Sequence, residues 1–177
     1  FLPSNQDEFD FTQYDYIVDA IDTVSAKIAI ALKAQENNIP VILNPAPAAE
    51  VPMEVVEKVT YLTPNEHEAV LIFGKELSTE ELLKKYPEKL LITQGSRGVS
   101  TCLKNGEILN VPARPAKVAD TTGAGDTLNG AFSVKIANGA DIKTALTFAN
   151  TAASLSTEKF GAQTGMPTVS EVEKELQ

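Results

Sequence analysis

The sequence predicts an α/β fold of three layers, with a doubly wound, mainly parallel sheet between helices. Three observations carry that expectation. Short apolar runs at 39–43, 60–63 and 90–93 have the β-branched, uninterrupted character of strands buried on both faces. An amphipathic stretch at 23–36 separates a short strand-like run from the run at 39–43, and a strand, helix, strand succession this short implies a right-handed parallel crossover. The final third repeats its apolar residues with a helical period. A length of 177 residues, with 43% hydrophobic and 22% charged, suits a single α/β domain over 1–177 with its own core.

Taken in order, Tyr16-Ile17-Val18 reads as a short buried strand that stops at Asp19-Ala20-Ile21-Asp22. Val24, Ile28, Ala31 and Leu32 then recur at three- and four-residue spacing, which places them on one face of a helix ended by Asn37-Asn38. The run at 39–43 is a strand, and Asn44-Pro45-Ala46-Pro47 must be a loop at its carboxyl end, because two prolines fix φ and remove donors. Residues 53–58 read as a short helix and 60–63 as a strand. Pro64 is expected in the first turn of a helix running to about Phe73 and stopped by Gly74. Ser78 and Glu81 have capping-box spacing for the next helix. The strand at 90–93 ends in Gln94-Gly95-Ser96-Arg97-Gly98. Runs at 99–103 and 107–111 flank Lys104-Asn105-Gly106, where Asn-Gly supplies the positive φ of a hairpin turn. Helices are expected at 124–138, 141–157 and 168–176.

Composition narrows the function. Fifteen Lys and Arg stand against 24 Asp and Glu, and the resulting charge of −9 excludes a basic nucleic-acid clamp. Cys102 and His67 are the sole residues of their types, so one chain cannot assemble a disulfide or a Cys/His zinc site, and a metal would need oxygen ligands. Cys102 alternates into the strand pattern as a core residue, His67 reads as a surface residue, and the Glu/Lys-rich 80–89 as a wet helix face. No apolar run approaches the roughly 20 residues that span a bilayer, and the first ten residues lack a leader pattern. The expectation is a cytoplasmic protein without nucleic-acid or membrane partners; no protein partner can be deduced.

The strongest chemical signal is Asp120-Thr121-Thr122-Gly123-Ala124-Gly125-Asp126-Thr127, just before an amphipathic helix. Small residues there leave backbone N–H groups exposed at a helix N-terminus, where the dipole adds positive charge and anions bind. Asp126 would repel a phosphate, yet a carboxylate beside a phosphate cradle is placed to take a proton from an attacking hydroxyl. Read alone, the same residues also suit a tight turn and a capped helix.

The whole string resembles the second signature of the ribokinase-like (PfkB-type) carbohydrate kinases. Asn44-Pro45-Ala46-Pro47-Ala48, Thr63-Pro64-Asn65-Glu66-His67-Glu68-Ala69, Thr93-Gln94-Gly95-Ser96-Arg97-Gly98 and Lys159-Phe160-Gly161-Ala162-Gln163 stand in that family's order, so the resemblance covers 41–177. It implies Mg·ATP-dependent phosphoryl transfer to D-ribose, with Asp126 as the catalytic base and Gly123, Ala124 and Gly125 as the anion hole for the γ-phosphate. It implies that Asn65 and Glu68 organise Mg2+ and phosphate, partly through water; composition alone would make Glu68 part of a solvated helix face. Thr93, Gly95 and Ser96 would touch the nucleotide and Asn150 would stand beside the adenine. Asp120 and Thr122, with carbonyls of Ser156, Lys159 and Gly161, would hold a monovalent cation such as K+. Gly165 stands where some relatives place a serine ligand.

Residues 14–27, Tyr-Asp-Tyr-Ile-Val-Asp-Ala-Ile-Asp-Thr-Val-Ser-Ala-Lys, instead resemble the ThiF/MoeB-type adenylating enzymes, particularly the tRNA threonylcarbamoyladenosine dehydratases. That family's glycine-rich nucleotide loop is absent, so Asp22 is expected to be a silent helix cap. The expectation is a chimera, natural or engineered: a Rossmann-type strand and helix over 1–40 grafted onto a ribokinase-like ATP-binding part over 41–177. Without the family's sugar pocket and lid before Val41, it would be inactive or bind nucleotide weakly; the alternative is an active kinase of a small carbohydrate.

Overall fold

The computed structural model describes residues 5, 8–14, 17 and 23–177. The expected strand at 16–18 and the Asp22 cap fall largely or wholly outside the described residues. The chain divides into two compact units, Phe1–Leu77 and Ser78–Gln177.

In the first unit, Asp10 caps a 3-10 turn at Phe11–Gln13 whose Phe11 is buried. Helix α1, Val24–Glu36, starts after Thr23 and buries Ala26, Ala31 and Ala34. Its larger apolar residues Val24, Ile28 and Leu32 are half-buried, so the buried face is set by alanines, which let a helix backbone approach its neighbours closely. Strand β1, Ile42–Leu43, pairs in parallel with β2, Tyr61–Leu62, through the crossover helix α2, Met53–Lys58. Leu43 and Leu62 point inward to a core with Val55, Val56 and Val59, while Ile42 is half-buried. Helix α3 is Glu66–Phe73, stopped by Gly74 at φ 79. Pro64 precedes its cap instead of occupying its first turn: Asn65 carries an acceptor that can reach the N3 amide, and so becomes the cap residue.

The second unit begins with α4, Thr79–Lys85, under the capping box of Ser78 and Glu81. Strands β3, Ile92–Thr93, β4, Val99–Cys102, and β5, Ile108–Val111, form an antiparallel meander. Helices α5, Ala124–Ala137, and α6, Ile142–Ser156, pack on each other, and α7, Val169–Glu175, packs on α6. Phe132, Leu146, Phe148 and Val172 are buried there, as is Cys102 in β4. No helix among the described residues is long and apolar enough to cross a membrane.

The expectation of a mainly parallel sheet needs correction. Among the described residues β1 and β2 are parallel, whereas β3–β4 and β4–β5 are antiparallel. The reason is connection length: Gln94 to Gly98 and Leu103 to Glu107 are tight turns, and a parallel partner needs a crossover of a dozen or more residues.

Gly98 sets the register of the meander. At φ 92 it lies so close to β5 that a Cβ would meet the Val111 carbonyl oxygen at 1.9 Å, whereas Gly106, φ 86, faces open space. Gly106→Ala should therefore cost about 1–2 kcal/mol of backbone strain, and Gly98→Ala roughly 2–6 kcal/mol, since overpacking adds to strain. Chemical denaturation of both variants checks this; equal costs would contradict the close approach.

Candidate functional site

Helix α5 begins at Gly123, in the left-handed region at φ 78. No side chain caps it, as is also true of α1 and α2, whereas side chains cap α3, α4, α6 and α7. Its first amides therefore have no side-chain acceptor from a cap residue, an arrangement that can receive an anion or water. Thr127 Oγ1 donates to the Gly123 carbonyl at 2.9 Å and Asn129 Nδ2 to the Gly125 carbonyl at 2.9 Å, and the Ala124 amide donates to the Thr121 carbonyl at 3.2 Å. Ala124 is half-buried, Gly125 is exposed with open space at its missing Cβ, and Asp126 is exposed in the first turn. A Cβ on Gly123 would come within 2.8 Å of the Ala162 Cβ, so the loop after α6 lies directly against the turn.

Asp120 ties that loop to the turn. Its Oδ1 accepts from the Thr122 amide at 2.9 Å and its Oδ2 from the Gly161 amide at 2.9 Å. Those donors, Thr122 first, hold the Asp120 carboxyl below the usual carboxylate range. The Ala119 and Asp120 amides both donate to the Thr157 carbonyl, at 2.7 and 3.1 Å. A Cβ at Gly165 would sit 2.4 Å from the Ser156 carbonyl oxygen and 3.1 Å from that of Gly161. Two carbonyls thus lie close to the position where a side chain is missing. Carbonyl oxygens are the donor type that a hard cation takes. The Gly161 carbonyl also accepts from Gly165 N at 2.9 Å, and Lys159 is exposed. Among the described residues, no three His, Cys, Asp or Glu side chains gather into a metal cluster.

Thr93 ends β3, half-buried, and Gly95 and Ser96 lie exposed in the 3-10 turn Gly95–Arg97. Gln94 closes that loop through its amide to the Gly98 carbonyl at 2.8 Å, and Ser100 Oγ donates to Gln94 Oε1 at 2.7 Å. Asn150 is buried, its Nδ2 donating to the Val111 and Pro112 carbonyls at 3.1 and 2.8 Å. It pins α6 to the end of β5, on the same Val111 carbonyl that Gly98 approaches.

In the first unit Asn65 and Glu68 are joined reciprocally: Asn65 Oδ1 accepts from the Glu68 amide at 2.9 Å, and Glu68 Oε2 accepts from the Asn65 amide at 2.8 Å. Glu68 is 6% exposed, so it is not part of a solvated face, while neighbouring His67 is exposed. The cap uses one oxygen of Glu68 and leaves Oε1 outside it, which suits a carboxylate that holds a hydrated Mg2+.

Arg114 escaped the sequence reading. Its Nε donates to Glu175 Oε2 at 2.6 Å and its Nη1 to Glu158 Oε1 at 2.9 Å, while its amide donates to Ser154 Oγ at 3.2 Å. This fork anchors the start of the 157–165 loop, and the Arg114 hydrogen bond holds the Glu158 carboxyl below its ordinary range. No local pattern announces it, because the acidic partners stand 44 and 61 residues away.

The model of the pfkB family carbohydrate kinases matches residues 5–169. A ribokinase of Bacillus subtilis is 54% identical over 140 residues, covering 79% of this chain and 47% of that protein. The structure of a Thermotoga maritima ribokinase superposes with a TM-score of 0.76 at 34% identity, covering 86% of this chain and 54% of the other. An Arabidopsis thaliana ribokinase solved with ribose and ATP gives a TM-score of 0.76 at 30% identity, covering 86% and 52%. The chain spans about half the length of the curated relatives it matches.

Asp120 gives this site a pH signature. Its pKa is lowered in the fold, so its contribution is complete above the unfolded value of 3.8 and is lost as pH falls through the lower folded value. The amide shifts of Thr122 and Gly161, followed by NMR, should move together with one midpoint that lies below that of an unperturbed aspartate. Separate midpoints for the two amides, or a shared midpoint at or above the ordinary aspartate value, would contradict the two hydrogen bonds.

Proposed function

The chain belongs to the pfkB family of carbohydrate kinases, and we propose that it supplies the nucleotide side of a ribokinase-type reaction, Mg2+-dependent transfer of the γ-phosphoryl group of ATP to D-ribose. The uncapped N-terminus of α5 carries this reading, with Gly123 in the left-handed region and Asp126 in the same turn. The anion hole expected of Gly123, Ala124 and Gly125 rests chiefly on the amides of Gly125 and Asp126, since that of Ala124 already donates to the Thr121 carbonyl at 3.2 Å, and these receive charge that builds on the transferring phosphoryl oxygens. Asp126 takes the proton of the attacking ribose hydroxyl as the new O–P bond forms and the bond to ADP breaks.

Asn65 and Glu68 would hold Mg2+, which supplies charge neutralisation at the phosphates. Asp120 and Thr122, with the carbonyls of Ser156, Lys159 and Gly161, would hold a monovalent cation behind the same turn. Thr93, Gly95 and Ser96 face the nucleotide, and Asn150 acts by fixing the edge of β5 next to that loop. The family match takes in residues 5–40 as well, so one origin for the chain is a simpler account of that segment than a graft from an adenylating enzyme.

Phosphoryl transfer requires both reactants to be held, and this stretch matches about half of its curated relatives. By itself it should bind Mg·ATP weakly, against a net charge of −9, and show no ribose-dependent turnover. Calorimetric titration with ATP should give binding with Mg2+ and little in excess chelator. Asp126→Asn should keep or improve that affinity, because a negative charge near the γ-phosphate is gone. Tight ATP binding in chelator, or an Asp126→Asn variant that no longer binds, would contradict the assignment. Ribose-dependent ADP release would favour the active-kinase alternative, and Asp126→Asn should then lower it roughly 10²- to 10⁴-fold.

A further inference from the structure

The loop Asn44-Pro45-Ala46-Pro47 follows β1 and has no part in the proposed chemistry. Its hydrogen bonds give it one. In the parallel ladder the Tyr61 amide donates to the Val41 carbonyl at 2.9 Å and the Thr63 amide to the Leu43 carbonyl at 3.0 Å. Continuing that alternation, the next donor would be the N–H of residue 45, aimed at the Thr63 carbonyl. Residue 45 is proline and has no N–H. The side chain of Asn44 takes its place: Nδ2 donates to the Thr63 carbonyl at 2.9 Å, with a longer approach of 3.4 Å to Thr63 Oγ1. Lys27 Nζ donates to the Ala46 carbonyl at 2.9 Å and so fixes the far end of the loop.

The Thr63 carbonyl belongs to the peptide bond that enters Pro64, and Pro64 leads directly into Asn65, the cap of α3. Thr63 is 1% exposed and Glu68 6% exposed, so neither has room to adjust independently. The orientation of the Thr63–Pro64 peptide sets the direction in which α3 starts, and with it the position of the Glu68 carboxylate. We infer that Asn44 is a positioning residue for the Mg2+-organising pair Asn65 and Glu68, acting through the Thr63 carbonyl as a side-chain substitute for the ladder donor that Pro45 lacks. This rests on the reading that Asn65 and Glu68 hold Mg2+ at the nucleotide.

The test titrates Mg2+ against the chain at fixed ATP and reads the half-saturating Mg2+ concentration, with ATP binding in excess chelator and circular dichroism as controls. Asn44→Ala should raise the half-saturation about 3- to 10-fold, the range one lost hydrogen bond carries, with both controls unchanged. Thr63→Val keeps the Thr63 carbonyl but deletes the longer contact together with the 3.4 Å bond from Thr63 Oγ1 to the Leu43 carbonyl, and should stay close to wild type. Glu68→Gln reports on the underlying reading and should raise the half-saturation at least as far as Asn44→Ala. If Glu68→Gln raises it and Asn44→Ala does not, or if Asn44→Ala weakens the chelator arm equally, the positioning role is wrong while the Mg2+ assignment stands. If Glu68→Gln has no effect, or the wild type shows no Mg2+ dependence, the Mg2+ assignment fails and the inference falls with it. Should Asn44→Ala not fold, Asn44→Ser, which keeps a shorter donor, is judged by the same outcomes with a smaller expected rise.

Discussion

The approach of Gly123 to Ala162 is the constraint on which the candidate site of the second unit depends. A Cβ at position 123 would lie 2.8 Å from that of Ala162, so a left-handed glycine is what allows the loop after α6 to close over the start of α5. Asp120 then holds Thr122 on one side and Gly161 on the other, and the Arg114 fork secures Glu158 three residues earlier. Each contact is modest alone. Together they fix a helix start without a side-chain cap, with the Gly123 and Gly125 carbonyls accepting side-chain donors and a carboxylate in its first turn.

The first unit solves a related problem differently. There the regular hydrogen bonding stops because Pro45 cannot donate, and an asparagine side chain completes what the backbone leaves unfinished. In both units the residues with chemical potential stand just beyond the last regular bond of a helix or ladder. Such places have backbone groups to spare, and a few side chains decide where those groups point.

Features governed by neighbours in sequence were legible. The capping box at Ser78 and Glu81, the Asn105-Gly106 hairpin turn and the extents of α2, α5, α6 and α7 follow from local patterns, and the structure has them within a residue or two. Features governed by distant contacts were not. Apolarity marked the runs at 39–43 and 90–93 but could not tell which residues would find a ladder partner, and the paired strands are Ile42–Leu43 and Ile92–Thr93. Val24, Ile28, Ala31 and Leu32 looked like the buried face of α1; Ala31 is buried, with Ala26 and Ala34, while the three larger residues are half-buried. The residues of the glycine turn by themselves suggested an anion site, with a tight turn as the rival reading, and the structure has the turn. The roles of Asn65, Glu68, Asn150 and the Asp120 cluster came through resemblance, since nothing in their spacing alone separates ligand from scaffold. Arg114 shows the limit most plainly, because its partners become neighbours only after folding.

The central claim is that the amides opening α5 receive the phosphate of Mg·ATP, and NMR titration of those amides tests it most directly. Addition of Mg·ATP should shift the resonances of Ala124, Gly125 and Asp126 saturably and together, with smaller changes at the Gly95 and Ser96 amides and none on the exposed face of α7. If Mg·ATP saturates the protein while the Ala124, Gly125 and Asp126 amides stay unmoved, the nucleotide lies elsewhere and the account is wrong.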